Sequence, residues 1–293
     1  VDETVAFPGG TDTVFTTVSI DLADAVHFKG DIENVTAAAA GITGLTLAGN
    51  ALANTITGNN VGNVLDGRGG ADLMRGLGGF DIYHVDDVGD VVDESVAGSG
   101  GTDTVIASIS VDLTDGARFK GAIERVTLVD DIDGLDASGN GLANILTGND
   151  RDNRLDGGAG ADTLRGKGGS DFYTVDDAAD LVFEAVGEGA GDGVATSVSY
   201  ALAAGQEIEF FGDVNSFSTG PIDLTGNEFG QQIFGNDGVN RLDGRGGADI
   251  MTGYFGDDTY VVDDPGDIVD EAFFGSGFDT VEASVSVDLA DGA

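Results

Sequence analysis

From Gly49 to His84 the sequence counts in nines: GNALANTIT, GNNVGNVLD, GRGGADLMR, GLGGFDIYH. Position six of these nonapeptides is Asn54, Asn63, Asp72 and Asp81, and the frame continues to Asp90. Position eight is Ile56, Leu65, Met74 and Tyr83, then Val92. The frame returns with Asn144, Asn153, Asp162, Asp171 and Asp180 at position six, and again with Gln231, Asn240, Asp249, Asp258 and Asp267. A fixed short period obliges every unit to adopt its neighbour's local structure. The x-apolar-x segment makes a three-residue strand with one side chain turned inward. The other six residues make a turn whose glycines supply positive backbone torsions. Two nonapeptides then close one coil, with parallel strands stacked about 4.8 Å apart. The predicted fold is all-β, a parallel β-roll or β-solenoid of about 18 residues per coil. Helical periodicity is absent, and the AAAAG run from Ala37 is too short to supply it.

A longer period overlies the short one. TDTVFTTVSIDL (Thr11–Leu22) returns as TDTVIASISVDL (Thr102–Leu113), GDGVATSVSYAL (Gly191–Leu202) and FDTVEASVSVDL (Phe278–Leu289). The Asp residues of these blocks, Asp12, Asp103, Asp192 and Asp279, are 91, 89 and 87 residues apart. Five 18-residue coils would fill such a unit, so the joining blocks are expected to belong to the same solenoid. The opening Val1-Asp2-Glu3 matches Val92-Asp93-Glu94, and Asp288–Ala293 matches Asp112–Ala117. The expected organisation is therefore the end of a preceding unit in residues 1–11, units at 12–102, 103–191 and 192–278, and the start of a fourth at 279–293. That reading makes the chain a segment of a longer array.

Charge narrows the function. The chain carries 53 Asp+Glu against 12 Lys+Arg, a formal charge of −41, yet 41% of its residues are hydrophobic. Self-repulsion of that size opposes compaction. A chain with enough apolar residues to fold, but this much repulsion, calls for a counter-ion. The same charge argues against nucleic acid and anionic membrane surfaces as partners. Without cysteine there is no disulfide framework or thiolate metal site. No apolar run reaches bilayer-spanning length, so membrane insertion is not expected.

Position six is where the counter-ion belongs. Repeats n and n+2 share an edge, so Asn54, Asp72 and Asp90 line one edge, and Asn63, Asp81 and Asp103 the other. Carboxylates stacked about 5 Å apart repel strongly unless a cation lies between them. Glycine turns add backbone carbonyls, and hard oxygen donors in that number describe Ca2+ better than zinc or Mg2+. The candidate ligands are Asp72, Asp81, Asp90, Asp162, Asp171, Asp180, Asp249, Asp258 and Asp267. Carbonyls come from the glycines that open the strong repeats: Gly67, Gly76, Gly157, Gly166, Gly244 and Gly253. Asp12, Asp103, Asp192 and Asp279, where the frame resumes, either cap a coil or ligate.

These nonapeptides resemble those of the RTX (repeats-in-toxin) family, Gly-Gly-x-Gly-x-Asp-x-(large apolar)-x. Six repeats carry the resemblance, with Gly70, Gly79, Gly160, Gly169, Gly247 and Gly256 at position four and Asp at position six. Glycine at position two survives only as Gly158. The Asn repeats, such as GNDRDNRLD (Gly148–Asp156), resemble the family's degenerate ones, which shape coils without a full ion. The resemblance implies a β-roll binding multiple Ca2+ ions in both rows of turns. It also implies export from a Gram-negative bacterium by type I secretion, with folding on meeting extracellular calcium.

No catalytic residue is expected. His27 and His84 are the only histidines, and equivalent positions hold Arg118, and Thr174 and Val261. Tyr83, Tyr173 and Tyr260 occupy apolar position eight and read as core. The pairs Asp86-Asp87, Asp176-Asp177 and Asp263-Asp264 recur in every unit, and neighbouring strand residues point to opposite faces. The expected function is non-enzymatic: a calcium-binding structural segment of a secreted or cell-surface protein, such as an adhesin stalk, matrix, surface-layer or filament component. Its partners would be calcium, a cell surface, or copies of itself end to end. The alternative is the secretion and folding module of an exported protease, lipase or polysaccharide epimerase whose catalytic domain lies outside this segment.

Overall fold

A computed structural model describes residues 10–38, 43–130, 132–271 and 277–287. The sequence matches at Val1–Glu3 and Asp288–Ala293 lie outside the described residues. The chain divides into two compact units, Val1–Leu146 and Thr147–Ala293.

In the first unit, successive strands alternate between two parallel walls. One wall runs Thr13–Thr16, Asn34–Ala37, Thr55–Thr57, Leu73–Arg75, Val91–Glu94 and Phe119–Gly121. The other runs Ile20–Asp21, Thr46–Ala48, Val64–Asp66, Ile82–Val85, Thr104–Ala107 and Arg125–Leu128. The second unit repeats the plan. One wall contains Arg154–Asp156, Phe172–Val175, Gly193–Thr196, Phe210–Asp213, Gln232–Phe234, Ile250–Thr252 and Ile268–Val269. The facing strands include Tyr200–Ala201, Ile222–Thr225, Asn240–Asp243, Thr259–Val262 and Thr280–Ala283. Every pairing named is parallel, and the described residues contain no helix. Each unit is thus a parallel β-solenoid, as the nine-residue frame predicts.

Alternation along each short strand builds the core. Position eight points inward and stacks on its counterpart one coil away: Leu47, Leu65, Tyr83, Val105 and Val126 form one fully buried ladder. Leu155, Tyr173, Val194, Phe211, Ile233 and Met251 form another. Burying one such side chain stabilises by roughly 1.5–3 kcal/mol. Outward residues find solvent or a counter-charge, as Arg75 does with Asp93 at 3.2 Å.

The joining blocks do belong to the solenoid, but their coils are longer than expected. Nonapeptide coils advance 18 residues, as in Val64 to Ile82. Joining coils advance 21 from Thr13 to Asn34, 22 from Ile82 to Thr104 and 27 from Ile20 to Leu47. A repeat therefore contains four and a half turns, not five, and equivalent strands change walls. Thr13–Thr16 and Thr104–Ala107 lie in different sheets, as do Gly193–Thr196 and Thr280–Ala283. The extra residues form turns such as Asp21–Asp24 and Asp112–Asp115, each closed by a backbone bond of 3.1 Å.

The turn backbone explains the glycine pattern. Position four holds φ between 110° and 138° in all six strong repeats, a region in which only glycine is comfortable. Position two is left-handed as well, with Arg68 at 63°, Leu77 at 76°, Lys167 at 77°, Arg245 at 59° and Tyr254 at 71°, beside Gly158 at 70°. The lost position-two glycines thus leave strained residues behind. Leu77→Gly is expected to stabilise the fold by up to about 1 kcal/mol, after the offsetting entropy of glycine in the unfolded chain. Gly70→Ala, whose Cβ would sit 2.5 Å from the Leu52 carbonyl oxygen, is expected to cost more than about 2 kcal/mol. Denaturant unfolding of the two variants checks both signs.

Candidate metal centre

Position six lies one residue before its strand, so alternation turns it inward at the corner of the coil. In the Asp residues named next, Oδ1 accepts the backbone N–H of the equivalent residue one coil earlier. On one edge Asn54 donates to Asp72 at 2.6 Å and Asp72 to Asp90 at 3.0 Å. On the other, Asn63 donates to Asp81 at 2.6 Å and Asp81 to Asp103 at 2.8 Å. In the second unit Asn153 donates to Asp171, Asp162 to Asp180, Gln231 to Asp249, Asn240 to Asp258 and Asp249 to Asp267, at 2.7–3.1 Å. The two predicted rows of position-six residues are therefore real rows, joined coil to coil.

The second oxygen distinguishes Asp from Asn. Oδ2 of Asp72, Asp81, Asp171, Asp249 and Asp258 is buried and accepts no hydrogen bond. Asn repeats leave no such gap. Asn63 accepts from the Asn59 N–H at 2.8 Å and returns its Nδ2 to the Asn59 side chain at 3.4 Å. Asn240 does the same with Asn236, and Gln231 with Asn227. A neutral amide closes its slot, whereas a carboxylate leaves it open to a cation.

The opening glycines make room for that carboxylate. A Cβ at Gly67, Gly76, Gly157, Gly166, Gly244 or Gly253 would run into the position-six Asp of the same repeat. The carbonyl oxygens of Gly67, Gly76, Gly166 and Gly244 face the opening glycine one coil earlier, 2.5–2.7 Å from where its Cβ would stand. They point into the gap between turns, beside the side-chain oxygens. Asp90, Asp180 and Asp267 are arranged differently. Their Oδ2 atoms accept the N–H groups of the preceding acidic pair, Asp86 and Asp87, Asp176 and Asp177, and Asp263 and Asp264, at 3.0–3.2 Å. These three close a turn with one oxygen and hold the previous coil with the other.

Two three-carboxylate clusters went unseen in the sequence. Asp81, Glu94 and Asp103 bring carboxylate oxygens within 4.8 Å of one another, as do Asp171, Glu184 and Asp192, and all six residues are buried. The Tyr83 hydroxyl accepts the Gly76 N–H at 2.8 Å and donates to Glu94; Tyr173 donates to Glu184 and Tyr260 to Glu271. The tyrosines are core, as expected, but each hydroxyl also orients a glutamate. One sequence signal could have found these residues: Glu94, Glu184 and Glu271 each follow a position-six Asp by 13 residues.

Burial, reinforced by neighbouring carboxylates, shifts these groups upward. Asp72, Asp81, Asp171 and Asp249 are pushed up to about 7, and Asp192 and Asp258 to about 6. Glu94 and Glu184 are pushed up to about 8. Buried carboxylates that repel one another, each with an open oxygen and carbonyls alongside, fit a hard divalent cation such as Ca2+. Neither histidine belongs to this donor set, so an imidazole-seeking metal has no ligand here.

Without metal, the folded chain keeps protons on these groups up to pH about 7, while unfolded carboxyls release theirs near pH 4. Between those values the folded state holds more protons, so its metal-free stability falls as pH rises. Ca2+ competes with the same protons, so calcium affinity should rise over pH 6–8. Circular dichroism in chelator should accordingly show more β structure at pH 5 than at pH 8, and calcium titrations should show the opposite pH trend. Asp72→Asn should remove the buried charge with its open carboxylate oxygen. It is expected to stabilise the metal-free fold by about 1–3 kcal/mol and to remove one bound ion, measured by denaturation in chelator and by calcium equilibrium dialysis.

Comparison with known families adds an independent finding. Residues 48–83, 138–173 and 225–260 match the RTX calcium-binding nonapeptide repeat (4 copies). No curated protein matches the chain. The matched segments contain all six strong repeats and end at Tyr83, Tyr173 and Tyr260. These three segments are thus RTX nonapeptide repeats, which bind Ca2+.

Proposed function

We propose that this chain is a non-enzymatic, calcium-folded structural segment of a secreted or cell-surface protein of a Gram-negative bacterium. One observation carries the reading: the buried carboxylates of Asp72, Asp81, Asp171, Asp249 and Asp258 each keep an oxygen that no described residue satisfies. Such groups make the metal-free roll expensive to close, so the free energy of ion binding becomes folding free energy. Extracellular calcium modules have dissociation constants of roughly 10⁻⁴–10⁻³ M. Sites of that strength stay empty in cytosol and fill outside the cell. The chain would cross the envelope extended by its own charge and fold on arrival.

A structural role suits the distribution of chemistry. The carboxylate clusters recur unit by unit, as a scaffold requires and a single active centre does not. The histidines share in none of them; His27 pairs with Asp24 on the surface. Among the described residues no helix is long and apolar enough to cross a membrane. Tandem units of about ninety residues suit an adhesin stalk, a surface-layer or matrix component, or a filament subunit. Contact would then be with a cell surface or with further copies end to end.

Far-UV circular dichroism of the chelator-treated chain during a calcium titration, with magnesium as control, tests this reading. A cooperative gain of β signal at or below millimolar calcium, not reproduced by magnesium, is expected. A chain fully β-structured in chelator at pH 7.5 and indifferent to calcium would overturn it.

A further inference from the structure

The family match stops at Tyr83 and Tyr173, yet the tightest gatherings of carboxylates take in residues beyond it: Glu94 and Asp103 in one repeat, Glu184 and Asp192 in the next. We infer that Asp81, Glu94 and Asp103, and likewise Asp171, Glu184 and Asp192, form a second class of calcium site with three carboxylates, which fills before the sites between nonapeptides. The inference rests on the calcium reading above and adds ligands from the joining blocks.

The open oxygens carry the argument. In the second unit, Asp171 Oδ2, Glu184 Oε1 and Asp192 Oδ2 are all buried without a hydrogen bond. In the first, Asp81 Oδ2 and Glu94 Oε2 are in the same condition. Asp171, Glu184 and Asp192 are each no more than 1% exposed. Two oxygens bound to one Ca2+ lie at most about 5 Å apart, given Ca–O distances of 2.3–2.6 Å. The clusters meet that limit with three separate carboxylates.

The other carboxylates of each cluster are held in place. Tyr83 and Tyr173 fix the second oxygen of Glu94 and Glu184. Asp103 and Asp192 use Oδ1 to accept the N–H of Asp81 and Asp171, at 2.8 and 2.7 Å. Asp171, Glu184 and Asp192 therefore each spend one oxygen on the protein and keep one for the ion, as Asp81 and Glu94 do in the first cluster. The opposite edge differs. There Asp72 faces Asp90, whose two oxygens already accept backbone N–H groups. Higher ligand charge and a preorganised cage raise calcium affinity, and both favour the three-carboxylate site. An ion held there ties a nonapeptide turn, the Val91–Glu94 or Leu181–Phe183 segment and the start of the next block into one body. It clamps the roll where the nine-residue frame breaks. Asp258, Glu271 and Asp279 keep the same tyrosine and backbone bonds, in a looser third copy.

The tyrosines provide the assay, because each hydroxyl contacts a proposed ligand and can pass excitation to bound terbium(III). The full chain, Glu94→Gln, Glu184→Gln and the double variant would be compared by tyrosine-sensitised terbium emission and by calcium equilibrium dialysis. Each single variant is expected to bind one calcium ion fewer, and the double variant to lose more than half of the sensitised emission while still gaining β structure at higher calcium. An unchanged ion count with unchanged emission in the double variant overturns the assignment. The unmodified chain gives a second reading that needs no variant. Sensitised emission that climbs from the first equivalents of terbium, ahead of the β signal, supports the early filling; emission that lags behind it overturns the proposal. Normal calcium uptake with either overturning result leaves the calcium reading standing, whereas no calcium uptake at all removes both.

Discussion

Asp72, Asp81, Asp171, Asp249 and Asp258 are brought inward at the corners before their strands, one oxygen accepting the N–H of the equivalent residue one coil earlier and the other buried without a hydrogen bond. Backbone ladders, apolar stacks and glycine turns can all form without metal. What opposes closure is this set of half-satisfied charges. Leaving a buried charge unpaired is costly, and several in register add their mutual repulsion. The apolar side of the balance is thin, because a three-residue strand contributes a single inward side chain at position eight. In the proposed reading, metal binding tips this balance toward the closed roll.

The Asn repeats show how that balance is set locally. Asn63 and Asn240 occupy the corner of Asp81 and Asp258 with nearly the same volume, yet complete their own hydrogen bonds. Amide residues fill position six in the first two repeats of each four-repeat run. The Asp repeats follow. In the first run two turns with satisfied amides come before two, at Asp72 and Asp81, whose carboxylates keep an open oxygen, and the Asn N–H to Asp Oδ1 bonds join the two kinds coil to coil.

How much of this was legible in the sequence depended on distance along the chain. Strand positions, the two rows and the inward position eight follow from nine-residue arithmetic, because a neighbour one coil away is always 18 residues away. Coil length in the joining blocks was not legible. Turns such as Asp112–Asp115 insert residues without a repeated spacing, so an expected five turns became four and a half. Glu94 and Glu184 escaped notice because they lie outside the nonapeptide frame and become ligand-like only when the next coil brings Asp103 or Asp192 against them. Asp90 looked like one more row member, and its neighbours Asp86 and Asp87 stood out only as a pair that recurs in every unit. In fact their backbone N–H groups, not their carboxylates, determine what the Asp90 side chain does.

The half turn has a consequence for charge. Within the second unit the strand that follows Asp171 and the one that follows Asp258 lie in different walls. Equivalent acidic clusters therefore sit on opposite edges of the roll in successive repeats. A repeat of five whole turns would put every three-carboxylate cluster on the same edge and leave the other to the Asp72-type sites alone. Four and a half turns share both kinds of site between the edges, so an ion-filled roll is braced on both sides and an empty one is repelled on both. The irregular length of the joining block, which reads in sequence as a fault in the nine-residue count, is what produces this alternation.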